Sequence, residues 1–269
     1  MDWQQLFDQS TQFTLFVTAT CLAICMAAEM FVPRREPSQS LAWRWGNNFS
    51  LAAITWTITR LASYGLGLAI AQWTVINQVG LFQSYPAGFW LPFITLIVVT
   101  QFIGYWTHRA FHEISWLWPV HAVHHSDVDV DISTSYRHHP LEPLVFMPVI
   151  SPLIMLLGVG PNAVLAYYVF TAFLTVFSHT NMLVPAGWER WLRLLVVTPD
   201  FHRVHHSSER NFTNSNYGSV VPWFDYVFGT AKHRPFDEHR DFELGLEYQR
   251  ERRDGRIDQI LLKLPRPSD

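Results

Sequence analysis

Long apolar runs separated by short polar links set the first expectation for this chain. Thr11 to Val32 carries one charge, Glu29, close to its end. About 22 residues at 1.5 Å rise suffice to cross a hydrocarbon core of roughly 30 Å, so this run predicts a spanning helix. A second apolar stretch runs from Phe49 to Trp73, interrupted by Arg60, and a third from Phe89 to Trp106. Leu144 to Gly160 and Asn162 to Phe177 predict two shorter apolar helices joined by the tight, uncharged Gly158-Val159-Gly160-Pro161-Asn162. They form either a spanning hairpin or one that dips in and returns. From Pro235 the chain turns charged, and Ile257 to Leu262 then reads as a short helix lying against the body or the membrane surface. The pattern predicts an all-α, multi-pass membrane bundle of four to five apolar helices with a helical cap on the cytoplasmic side.

Charge orients the bundle, because cytoplasmic links retain Lys and Arg. Arg34, Arg35 and Arg44 lie between the first and second runs, whereas Thr74 to Gly88 and the hairpin tip carry neither residue type. Residues 33–48, His108 to Glu142 and everything after His179 then share the cytoplasmic side, which holds every one of the 19 Lys and Arg except Arg60. A cation in mid-helix costs about 2.5 to 3.5 kcal/mol on insertion scales, so Arg60 is expected either to mark a shifted helix register or to be paired inside the bundle, with contact to a polar lipid group as the functional alternative. Asp2 and Asp8 precede the first run without a Lys or Arg, unlike a secretory signal, so that run is expected to stay in the mature protein. Trp43, Trp45, Trp73, Trp90 and Trp106 fall near run ends, where amphipathic rings prefer the interface.

Composition agrees. Of 269 residues, 49% are hydrophobic and only 15% charged, which argues against disorder and against an ordinary soluble enzyme, where charge runs nearer a quarter. A net charge of -3 gives no cationic face for nucleic acid. Cys21 and Cys25 read as small buried hydrophobes rather than a disulfide framework.

The candidate chemistry lies in the 13 histidines. His108 and His112 stand at i and i+4, on one face of a helix, a spacing that can grip one metal ion. His121, His124 and His125 add i, i+3 and i+4, and His202, His205 and His206 repeat that spacing. His179 and the adjacent His138 and His139 offer single ligands, with the choice between the last two open, while His233 and His239 read as structural or surface residues. Eight to ten imidazoles exceed what one ion accepts, which points to two ions with about two open positions. An all-nitrogen set does not name the metal. Glu113, Asp127, Asp129, Asp131, Glu142, Asp200 and Asp225 are expected to accept the second N–H of ligating imidazoles. Trp106, Phe111, Trp116, Trp118 and Phe201 read as packing or interface residues, with the wall of an apolar tunnel as the alternative.

The order HxxxH, HxxHH, HxxHH after apolar helices resembles the sterol desaturase and fatty acid hydroxylase superfamily. Leu117 to Ser126, Thr198 to His206, Arg137 to Glu142, Ser178 to Asn181, Asn216-Tyr217-Gly218, Trp223-Phe224-Asp225 and Phe228-Gly229-Thr230 extend the likeness from about Leu91 to Lys232. The resemblance implies three regions: N-terminal transmembrane helices over 1–90, a catalytic domain over 91–232 containing the hairpin at 144–178, and a charged tail over 233–269. It implies an integral membrane non-haem di-iron enzyme that uses O2 and electrons to hydroxylate or desaturate a lipid: a sterol, fatty acyl chain, sphingoid base, alkylglycerol or carotenoid. Two iron ions, with zinc an option in isolated protein, would be held by His108, His112, His121, His124, His125, His139, His179, His202, His205 and His206, supported by Asn216 and Asp225. A separate donor resembling cytochrome b5, a ferredoxin or a reductase would supply electrons, in a bacterial inner membrane or the endoplasmic reticulum. The alternatives are a membrane zinc hydrolase acting on lipids and a histidine-rich metal transporter. The excess of imidazoles counts against the first, and the scarcity of ligands within the spans against the second.

Overall fold

A computed structural model describes residues 3–59 and 65–263, and the regular elements among them are all helical. In order they are α1 (Trp3–Phe31), α2 (Leu41–Thr59), α3 (Leu66–Asn77), α4 (Leu81–Ser84), α5 (Trp90–Glu113), α6 (Trp118–His125), α7 (Glu142–Leu157) and α8 (Pro161–His179). Five short helices follow: α9 (Ala186–Leu192), α10 (Pro199–His205), α11 (Arg210–Thr213), α12 (Trp223–Val227) and α13 (Ile257–Leu262). The apolar stretch from Phe49 to Trp73 is therefore shared between two helices, and Arg60 lies outside the described residues. Among the described residues, α5 and α8 are long and apolar enough to cross a membrane, while Phe16–Phe31 and α7 are shorter apolar helices.

The bundle core joins α3, α5, α7 and α8 through Leu68, Leu96, Ile97, Ile154, Val164 and Tyr168. Outward from it, Phe16, Ile76 and Trp90 are each about 70% exposed and Phe31 85%. Large apolar side chains left this open suit a hydrocarbon surround. Gly158 closes α7 in the left-handed region at φ +63, and a Cβ added to Gly80 would lie 2.4 Å from the Gly158 Cα. Only glycine permits this approach. It fastens the 78–88 link to the hairpin tip at one end of the bundle.

The opposite end gathers the links after α1 and α8 and several of the short helices. Arg34 N–H donates to Asn181 O at 2.7 Å and Leu183 N–H to Val32 O at 2.8 Å, which ties the link after α1 to the chain leaving α8. Buried Arg44 reaches Asp127 at 2.8 Å and Asp131 at 2.6 Å, and Asn48 donates to Asp127 at 2.9 Å. Arg34 donates to Asp200 at 3.1 Å, and the fully buried Arg203 binds the same carboxylate and Thr180 O. The arginine-bearing links thus lie together at one end, in the grouping that charge predicted. The helix expected at Ile257 to Leu262 forms and packs Ile257, Ile260 and Leu261 against Leu51 and Val123.

Candidate metal centre

The C-terminal turns of α5 and α8 meet α6 and α10 at that end of the bundle. Proline in the first turn starts α6 and α10 where no intrahelical N–H is needed, and the Thr198 side chain caps α10 by accepting from Phe201 N at 3.3 Å. These four helices bring nine buried imidazoles into two groups. His108, His112, His121, His125 and His205 form one; His124, His179, His202 and His206 form the other, and within each group the ligand atoms lie within 4.8 Å of one another. Each HxxHH segment is therefore divided. His121 and His125 serve one group and His124 the other, while His202 and His206 serve the second and His205 the first. Helical geometry accounts for the division: i and i+4 share a face, whereas i+3 points to its flank. The groups adjoin, with the His125 and His206 rings stacked at 4.5 Å.

Second ring nitrogens show what the centre needs. His108 Nδ1 meets Tyr217 O, His205 Nδ1 meets Ser215 O and His179 Nδ1 meets Thr175 O, each at 2.7 Å, and His121 Nδ1 meets Glu142 Oε1 at 3.1 Å. Each such acceptor fixes the N–H on Nδ1 and leaves Nε2 with a bare lone pair. Yet His108 Nε2 lies 2.9 Å from His121 Nε2 and 3.1 Å from His205 Nε2. Three converging lone pairs repel unless a cation lies between them, and one shared proton relieves only one pair. Burial, reinforced by neighbouring imidazoles, also holds His124, His125, His202, His205 and His206 well below the ordinary imidazole value, hence neutral and able to ligate. Among the described residues, Nδ1 of His124, His125, His202 and His206 and Nε2 of His112 and His125 have no hydrogen-bond partner, a costly condition for buried nitrogens without a ligand.

Spacing bears on whether an ion fits. In the second group, Nε2 separations are 3.2 Å for His124 and His179, 2.9 Å for His179 and His202 and 3.1 Å for His202 and His206. Two imidazoles at right angles, each about 2.1 Å from one ion, stand about 3.0 Å apart, whereas tetrahedral neighbours stand about 3.4 Å apart. In both groups these separations suit imidazoles converging on a common ion.

Comparison with known proteins agrees with this chemistry. Residues 93–230, half of the chain, match the fatty acid hydroxylase family. The chain belongs to that family. It is 31% identical over 189 residues to methylsterol monooxygenase 2-2 of Arabidopsis thaliana, covering 65% of this chain and 68% of the relative. It is 32% identical over 126 residues to the alkylglycerol monooxygenase of Homo sapiens, covering 47% of this chain and 27% of that one. A very-long-chain aldehyde decarbonylase of Oryza sativa subsp. indica is 32% identical over 138 residues, with 48% and 22% covered. The chain thus spans about a quarter of the length of the last two relatives. No solved structure matches it.

Around this family's histidines, the expectation for the carboxylates needs correction. Among the described residues, Glu142 is the one carboxylate of these seven that accepts from a grouped imidazole, and it also receives His138 Nδ1 at 3.1 Å. Asp127, Asp129 and Asp131 surround Arg44, Asp200 takes Arg34 and Arg203, and Glu113 binds Arg109 on the surface. Buried guanidinium groups claim these anions because an uncompensated charge there costs more than a missing imidazole acceptor. Asp225 accepts the Tyr217 and Gly218 N–H groups, both at 2.8 Å, and Asn216 donates to Phe201 O at 2.8 Å and Lys232 O at 2.9 Å. Both residues hold the 215–217 loop, whose carbonyls face His205 and His108.

His139, the tenth expected ligand, lies outside both groups, and its Nδ1 accepts from Leu141 N at 3.2 Å because Pro140 turns the chain away. His138 instead stacks on His124 at 4.4 Å. Asn214, whose Oδ1 lies 3.3 Å from His112 Nδ1, and the Ser215 and Tyr217 carbonyls were not anticipated; backbone acceptors leave no mark in a sequence. Phe111 and Phe201 are buried packing residues, Trp106 and Trp116 are exposed, and Trp118 lies against His112 at 5.0 Å. His233 is exposed, while His239 is buried 3.6 Å from Asp200.

Proposed function

We propose that this member of the fatty acid hydroxylase family is a membrane-bound non-haem di-iron oxidoreductase that uses O2 and two electrons to hydroxylate or desaturate a lipid. The observation that carries the reading is the pair of adjoining groups of five and four buried imidazoles. Two ions held by these nine nitrogens would keep positions open for O2 and water, unlike a closed structural site. Bound iron would supply O2 activation and oxidation of an unactivated C–H bond.

The chain's own residues orient and shield that chemistry. Tyr217 O, Ser215 O, Thr175 O and Glu142 fix four imidazoles in one tautomer, and burial of all nine rings keeps bulk water out. Because α5 and α8 deliver His108, His112 and His179 at their ends, a lipid entering between apolar helices would meet the metals at the membrane boundary. The arginine-bearing links lie at that same end, which supports a multi-pass topology with the catalytic face cytoplasmic, in a bacterial inner membrane or the endoplasmic reticulum. Electrons would come from a separate donor resembling cytochrome b5, a ferredoxin or a reductase.

The test compares lipid extracts of host cells expressing the wild type or His205→Ala, by high-resolution mass spectrometry. A lipid found only with the wild type that has gained one oxygen or lost two hydrogens is expected. Identical extracts, together with zinc rather than iron in the purified protein, would overturn the proposal.

A further inference from the structure

Two short helices outside the candidate spans are built inside out. On α9, Trp188 is 68% and Trp191 63% exposed, and Leu195 in the turn that follows is 62% exposed. Glu189, between the two tryptophans, is buried and accepts from Thr198. The inversion recurs on α12, where the Asp225 carboxylate is buried and Val227 is 72% exposed. A helix facing water does the reverse, turning its charges out and its apolar side chains in. Surfaces of this kind need a cover other than water.

Contacts place the two helices in one patch and fix its position on the bundle. Trp223 of α12 donates from Nε1 to Leu194 O, just after α9, at 3.0 Å. Phe224 packs against Phe102 at 5.3 Å and Phe228 against Trp106 at 5.0 Å, and both partners are exposed residues of α5. The patch therefore continues the outer surface of a helix long and apolar enough to cross a membrane. Phe102 and Trp106 belong to the last apolar turns of α5, just before His108, so α12 stands at the depth where that helix leaves the hydrocarbon. Tryptophan suits this boundary, and Arg190, exposed beside the Trp191 ring at 5.5 Å, can reach from it toward the headgroups.

We infer that α9 and α12 form a docking surface for the interfacial layer of the bilayer, with Trp188, Trp191, Leu195 and Val227 facing lipid. Charge alone assigns everything after His179 to the cytoplasmic side, whereas these helices sit within the boundary of that side. The seat also bears on the metal centre. As α12 turns Val227 to lipid, it turns Asp225 inward to accept from Tyr217 N–H, and the Tyr217 carbonyl faces His108 Nδ1. Lipid thus steadies the segment that aims this imidazole. The inference goes beyond the proposed oxidation and rests on that reading only in taking α5 as a membrane span.

The experiment places spin labels on the full-length protein in phosphatidylcholine nanodiscs. In a background of Cys21→Ala and Cys25→Ala, the variants Trp191→Cys, Leu195→Cys and Val227→Cys are labelled one at a time. Ile94→Cys on α5, where Ile94 is 51% exposed, marks lipid, and Glu251→Cys in the charged tail marks water. Power-saturation spectra compare collisions with O2, which dissolves in lipid, and with a nickel chelate confined to water. The three labels are expected to follow Ile94→Cys, with more O2 and less nickel contact than Glu251→Cys. Each of the three positions is exposed and is read independently, so one variant that does not fold leaves two to decide. If the three follow Glu251→Cys while Ile94→Cys faces lipid, the docking surface is overturned and the membrane reading of α5 stands. If Ile94→Cys also reports water, the membrane reading falls and takes this surface with it. Spin-spin broadening that vanishes on dilution with unlabelled protein would assign the patch to a second copy of the chain and overturn the inference equally.

Discussion

The Asp225 carboxylate accepts the backbone N–H of Tyr217 at 2.8 Å, and the Tyr217 carbonyl in turn faces His108 Nδ1 at 2.7 Å. Asp225 thus aims an imidazole without touching it. Asp225→Ala and Asn216→Ala are expected to lower turnover about 10 to 100-fold, less than the complete loss in His205→Ala. Steady-state rates compared with metal content decide; a loss equal to that of the ligand variant would place Asp225 or Asn216 within the centre itself.

Division of the HxxHH segments predicts that neighbouring histidines answer to different ions. His124→Ala and His125→Ala are each expected to lose activity while bound metal falls from about two ions per chain to about one. The double variant is expected to bind almost none. Elemental analysis of purified protein measures this, and full metal content in either single variant would reject the grouping.

His138 and His139 are expected to separate functionally. His138→Ala removes the ring stacked on His124 and one of the two imidazoles on Glu142, so activity should drop several-fold. His139→Ala should retain metal and most activity, and His233→Ala should be silent. A metal-depleted His139→Ala protein would restore that residue as a ligand.

At the far end, a Cβ on Gly158 would meet Val79 O at 2.6 Å in a left-handed backbone. Gly158→Ala is expected to cost about 1 to 3 kcal/mol and to lower the melting temperature without changing metal affinity. An unchanged melting curve would show that the two loops can part freely.

His239 supplies a pH dependence. Burial, reinforced by Arg203 and Arg34 and opposed by Asp200, lowers its folded-state pKa to about 4, below the ordinary value near 6.5. Between those values the unfolded chain binds the extra proton, so the stability tied to neutral His239 is complete above about pH 6.5 and drains as pH falls toward 4. His239→Gln should therefore lose less melting temperature than the wild type between pH 7 and pH 5. Parallel curves would show that the ring does not titrate across folding.

Local signals carried much of this architecture. Apolar run length marked α5 and α8, charge grouped the arginine-bearing links, and helical spacing marked the clustered histidines before any contact was known. Partners distant in sequence were not legible. Asp127 reads as a carboxylate beside an HxxHH segment, and nothing near it reveals that Arg44, 83 residues earlier, occupies it. The division of the HxxHH segments likewise needs two helices facing each other, and the acceptors at Ser215 and Tyr217 are main-chain atoms.

Arg34 and Arg44 lie before the segment that aligns with the family, yet they neutralise Asp127, Asp131 and Asp200 inside it. A fragment cut to residues 93–230 would keep every grouped histidine and the Arg203–Asp200 pair, yet take Arg44 from the buried Asp127 and Asp131. The smallest piece of this chain able to assemble the centre therefore begins near the end of α1, well ahead of the first histidine.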